Sequence, residues 1–127
     1  MKMFTALACV PVLLALGAKA EAAGCVYPQA PQTLPNGNTA TEADMKTANG
    51  QVKDYMKQVQ EVYLPCLEKE KTDAIAALDA NDPEYAAKKT ALEAIQAKKN
   101  NAAVDELQAF ATRWNGEIKA FKDKGAK

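Results

Sequence analysis

The sequence predicts an all-α protein, a long antiparallel helical hairpin whose first helix is kinked at Pro65 and which carries an N-terminal proline-rich strap fastened by a disulfide. Three observations lead there. Val52, Tyr55, Met56, Val59, Val62, Tyr63 and Cys66 recur at the 3-4 spacing that puts side chains on one helix face, while Lys53, Asp54, Lys57, Gln58, Gln60 and Glu61 fall largely outside it. A second stripe of the same kind runs through Tyr85, Leu92, Ile95, Ala102, Ala103, Leu107, Phe110, Trp114, Ile118 and Phe121. Ahead of both stripes stand Pro28, Pro31 and Pro35, with one cysteine, Cys25, before them and another, Cys66, at the end of the first stripe.

The chain opens with Lys2, an apolar run from Met3 to Leu16 and the small-x-small site Ala18-Lys19-Ala20, the pattern of a cleaved signal peptide over residues 1–20. Ala22 and Ala23 are nearby alternative cleavage points. An apolar run this short, broken by Pro11 and followed by Lys19 and Glu21, is poor for spanning roughly 30 Å of hydrocarbon, so no stable membrane insertion is expected after cleavage. Lipidation at Cys25 is disfavoured because the large apolar residue usual three positions before such a cysteine is replaced by Ala22. The expected location is therefore periplasmic or secreted, and the mature chain of about 105 residues is enough for one small domain.

Export also governs the cysteines. Cys9 leaves with the signal, and Cys25 and Cys66 remain in a compartment that allows disulfides, in a domain small enough to benefit from one. Their bridge would close a loop of about 40 residues and contribute roughly 2–4 kcal/mol. Two free buried thiols are the alternative. A metal pair is not expected, because the chain has no histidine and no third thiolate nearby, and the spacing is unlike the C-x-x-C of a thiol oxidoreductase.

Residues 21–38 are read as the strap. Prolines at this density block a helix and favour extended conformations, Asn36-Gly37 supplies a turn, and Val26, Tyr27 and Leu34 give the segment something to pack with. The helical domain then covers residues 39–127. Its start offers two capping boxes, Thr39 with Glu42 or Thr41 with Asp44. Asn49-Gly50 weakens the first helix by about 1 kcal/mol without disturbing its phase. Pro65 removes an N–H and crowds the Glu61 carbonyl, so the first helix, from about residue 40 to 80, is expected to kink there or to divide in two.

Asp82-Pro83-Glu84 marks the reversal, with Asp82 as cap and Pro83 as first helical residue of a second helix that runs to about Lys122. Folding there sets Cys66 opposite Lys98 and Lys99, and gathers Tyr55, Met56, Phe110 and Trp114 near the open end. The many alanines between allow close approach but bury little area each. The thin core calls for the strap in one groove, or for a second copy of the hairpin.

No catalytic constellation is visible. The chain lacks histidine and serine and has no glycine-rich phosphate cradle, so neither an enzyme nor a cofactor site is expected. Sixteen basic residues balance sixteen acidic ones, against the basic excess of a nucleic-acid binder. Lys119, Lys122, Lys124 and Lys127 concentrate at the tail, where they suit the end of a helix dipole. The expected function is that of a non-enzymatic exported interaction or structural protein, such as a small adaptor or holdase. Its interaction surface would comprise Tyr55, Met56, Phe110 and Trp114, and it would engage a protein partner of unspecified identity or pair with itself as a dimer. The alternative is a carrier of a small apolar ligand in a groove between strap and hairpin.

Overall fold

The structure is a computed structural model that describes residues 24–126; the expected signal peptide and Cys9 lie outside the described residues. An extended segment leads into a helical run built from three pieces, α1 (Glu42–Gln58), a π-helical turn (Val59–Tyr63) and α2 (Leu64–Ala76). A turn region then leads to α3 (Tyr85–Gly125), and there is no strand among the described residues.

Local chemistry explains each boundary. Of the two capping boxes open to the sequence, the structure uses the second: Thr41 Oγ1 accepts from the Asp44 N–H at 3.1 Å, and the Asp44 carboxylate accepts from the Thr41 N–H at 3.0 Å. Thr39 belongs instead to the turn before it, where the Asn36 carbonyl accepts from the Thr39 and Ala40 N–H groups and the Asn36 side chain from Asn38. α1 passes through Asn49-Gly50 unbroken.

Pro65 does not end the helical run. Its missing N–H and its ring require a local change in the hydrogen-bond ladder just upstream, and the backbone meets this with the π turn, in which the Leu64 N–H reaches the Val59 carbonyl five residues back. The wider turn has a cost to the pattern. Val62, expected on the buried stripe, is 65% exposed, because the residue added by the π turn rotates it off the face that Val59 and Leu67 share.

At the second boundary the helix begins two residues later than expected, and Asp82 closes the turn before it instead of capping it. Its side chain accepts from the Glu84 N–H at 2.8 Å and its carbonyl from the Tyr85 N–H at 2.9 Å, so Pro83 and Glu84 lie in the turn and α3 begins at Tyr85. Lys98 to Asn101 continue the helix, and α3 extends past Lys122 to Gly125.

The core is centred on Met45, Ala48, Val52, Tyr55 and Val59 of the first run and on Leu107, Phe110 and Trp114 of α3. Strap residues Tyr27, Ala30 and Leu34 pack against it, as do Met56, Leu64, Ile118 and Phe121. The backbones of α2 and α3 run close together, whereas α1 approaches α3 at few points. Leu67 and Gln96 lie in the close contact between α2 and α3, while Ala86, Ala87, Ala91, Ala94 and Ala97 of α3 are exposed; the rings of Tyr55, Phe110 and Trp114 and the strap occupy the wider gap between α1 and α3. On α3 the expected stripe needs two corrections. Ile95 is 51% exposed and Ala102 is also exposed, while Gln96 and Ala103 face inward, since a seam stepping through Leu107, Ala103 and Gln96 at 3-4 spacing leaves their neighbours a hundred degrees off.

Candidate functional site

The strap is held at both ends. At its start Cys25 is bonded to Cys66 at the N-terminal end of α2, with the two Cα atoms 5.8 Å apart. Glu70, one turn further on, accepts from Lys99 Nζ of α3 at 2.7 Å. That bond holds the Glu70 carboxyl below its ordinary range, and the Gln96 side chain and the Cys25 backbone N–H act in the same direction. Disulfide and ion pair thus converge where strap, α2 and α3 meet.

Between the ends, Tyr27 makes the central contact. Its hydroxyl lies 2.7 Å from that of Tyr55, and its ring stands edge-on to those of Tyr55 and Tyr63, with centroids 6.4 and 4.9 Å away. Tyr55 in turn meets Phe110 of α3 at 4.9 Å, and the Arg113 guanidinium lies 5.4 Å over the Phe110 ring. Burial, and then the bond to Tyr55, push the Tyr27 hydroxyl well above its ordinary pKa of 10.0. The aromatic series Tyr27, Tyr55, Phe110 therefore links strap, α1 and α3 across one seam.

At its far end the strap is docked through backbone. Gly37 is buried against α3, where its N–H donates to Glu117 Oε2 at 2.7 Å. A Cβ at this position would collide with the Glu117 carbonyl oxygen and come within 2.8 Å of the Phe121 nitrogen, so the close approach requires glycine. Lys124 Nζ donates to the Ala40 carbonyl at 2.7 Å while lying over the Phe121 ring. The lysine-rich tail thus spends one of its charges on an internal bond.

Of the residues expected to form an interaction surface, Tyr55, Phe110 and Trp114 are core, exposed by 3, 1 and 5%, and Met56 is half-buried. Their large apolar area is worth most when removed from water, and the strap completes that removal. The open apolar groove that a holdase needs at these residues is closed in this state. Between strap and α1 there is an open trough of about 470 Å³ lined by polar residues such as Gln29, Gln32, Gln51 and Asp54, not an enclosed apolar chamber. A smaller hollow of about 270 Å³, beside the strap's start, is lined by Val26, Pro28, Gln58, Val62 and Tyr63, and here Val26 is 83% exposed.

A third groove, of about 520 Å³, lies between α2 and α3 over Leu67 and Gln96. The Gln96 Oε1 atom is buried and lacks a hydrogen-bond partner among the described residues. Sequence reasoning passed over Gln96 and Gly37 alike: Gln96 is one polar residue on an alanine-rich helix, and nothing in Asn36-Gly37 beyond a turn signal marks a docking point. Among the described residues no three carboxylate, thiol or imidazole groups converge as a metal site would need, and no helix is long and apolar enough to cross a membrane. Comparison with protein-family models, with curated proteins and with solved structures finds no match.

Proposed function

We propose that this is a non-enzymatic interaction or structural protein that works outside the cytoplasm, in a periplasm or after secretion. The observation that carries the reading is the strap bonded through Cys25–Cys66 over an aromatic seam, because a disulfide in a small domain belongs with an oxidising compartment. The signal-like pattern of residues 1–20 agrees with it. In this reading the helical runs form a long antiparallel hairpin, bent at the π turn before Pro65. Contacts that pair Glu70 with Lys99, Tyr55 with Phe110 and Ala40 with Lys124 support it.

The contact surface follows from what is exposed, and so differs from the one the sequence suggests. Val26 and Val62 stand out from a hollow floored by Pro28 and Tyr63, a small apolar feature made of two neighbouring exposed side chains. It suits a protein partner or a second copy in a modest interface. The test is to express the full chain in an exporting host, fractionate the cells, and measure the mass of the product with and without reductant. Loss of the first twenty or so residues, and a gain of two hydrogens on reduction, are expected. A product that keeps its N-terminus and carries free thiols contradicts the reading. Crosslinking at Val62→Cys, in the disulfide-bonded protein, then checks the surface.

A further inference from the structure

We propose that the strap is a redox-released cover, and that reduction of Cys25–Cys66 opens the Tyr55 and Tyr63 face to an extended, proline-spaced segment of another polypeptide that carries a tyrosine. The proposal rests on the interaction reading above and adds to it a regulator and a class of partner. The occupant is inferred from what already sits there. Pro28, Pro31 and Pro35 keep the strap out of helix and strand, and its Tyr27 ring enters between Tyr55 and Tyr63 with a hydroxyl bond at 2.7 Å. Proline-spaced segments docking on aromatic faces are a recurrent mode of peptide recognition, in which the extended backbone is already ordered before binding. Here both halves of such a complex reside in one chain.

The attachment of the strap is unequal along its length. Its far end is tied by Gly37 to Glu117 and by Ala40 to Lys124, neither of which responds to reductant. Between residues 26 and 35 no backbone–backbone hydrogen bond joins strap to helices among the described residues. Gly24, Val26 and Gln29 are exposed, so the hold at the near end falls to the disulfide, the Tyr27 contacts and the Cys25 N–H directed at the Glu70 carboxylate, with Ala30 packing on the core further along. Cys25 and Cys66 are themselves only half-buried, within reach of a dithiol. The first thiolate of the dithiol attacks one cysteine sulfur and expels the other as a thiolate. Its second thiol, deprotonated, then displaces the remaining cysteine sulfur, so that the dithiol ends as a cyclic disulfide and both cysteines as thiols. The freed end remains tethered at Gly37, which makes the opening reversible on reoxidation.

The test uses the full-length protein as exported and a fluorescent peptide of sequence VYPQAPQTLP, residues 26–35, with binding read by anisotropy before and after dithiothreitol. The tethered strap competes at high local concentration, so the reduced protein is also measured with Tyr27→Ala in the chain. Reduced protein, and a Cys25→Ser/Cys66→Ser variant, are expected to bind the peptide at least tenfold more tightly than oxidised protein, with unchanged helical circular dichroism. A peptide whose tyrosine is replaced by alanine should lose that binding. Equal binding in the two redox states overturns the proposal. So does loss of helix on reduction, which would make the bond a brace of the fold, and so does a reduced dimer that takes up no peptide, which would seat a second copy instead. If no peptide binds in either state but the oxidised protein still crosslinks through the Val62 surface, the cover fails and the interaction reading stands.

Discussion

At the scale of single residues, Val59 and Gly37 bear disproportionate weight. Val59 is fully buried, so Val59→Asp places a carboxylate in a dry seam and should cost several kcal/mol, read as a large fall in melting temperature. Gly37→Ala sets a methyl group against α3 backbone that cannot yield, and about 1–3 kcal/mol of destabilisation is expected from such overpacking. Gly50 offers the reverse case. It is exposed in the middle of α1 with open space where a side chain would go, so Gly50→Ala should stabilise by about 0.5–1 kcal/mol in the same assay. Val59 was legible because the 3-4 period singles it out. The two glycines read alike in sequence as turn or helix-weakening residues, and only the approach of α3, a tertiary fact, separates them. Tyr27 adds a pH dependence. Its raised pKa means that the folded state keeps a proton the unfolded chain releases near 10, so stability falls as pH rises beyond that value. Thermal melts of Tyr27→Phe should show a flatter alkaline limb than the parent protein.

At the scale of elements, the helical run through Pro65 shows how a local conflict is absorbed. The sequence expects a kink or a division at Pro65; the structure places a π turn at Val59–Tyr63 just upstream, and sequence alone does not choose among these because each relieves the same crowded carbonyl. The choice has consequences for which side chains are buried. Val62 turns outward, Leu67 inward, and Cys66 comes into reach of Cys25. The same holds for α3, where Ile95 and Gln96 exchange the roles that hydrophobicity alone assigns them. Between α2 and α3 the Glu70–Lys99 pair supplies a second pH dependence. Its depressed carboxyl pKa gives a stabilising contribution that is present above the ordinary value of 4.5 and is lost as pH falls through the folded-state value. Both side chains are partly exposed, so screening keeps this contribution modest. Lys99→Met should move the Glu70 titration upward, as followed by carboxyl-carbon NMR.

At the scale of the whole molecule, the strap solves the problem of a thin core. The helical runs come close between α2 and α3, over Leu67 and Gln96, and leave a wider gap between α1 and α3, where the strap packs through Tyr27, Ala30 and Leu34. The need for a third layer was legible from the poor burial that two such helices provide, and its attachment at one end from Cys25 within the strap and Cys66 on the first helical run. The exposed hollow at Val26 and Val62 was not legible, since it depends on the π turn and on the path of the strap after Cys25. Reduction should lower global stability by roughly 2–4 kcal/mol through the loop it reopens. One bond, Cys25–Cys66, fastens the start of the strap. Proteolytic digestion of the purified protein under non-reducing conditions, followed by mass analysis, should yield the peptide containing Cys25 joined to that containing Cys66; recovery of both cysteines alkylated without reductant would contradict that bond.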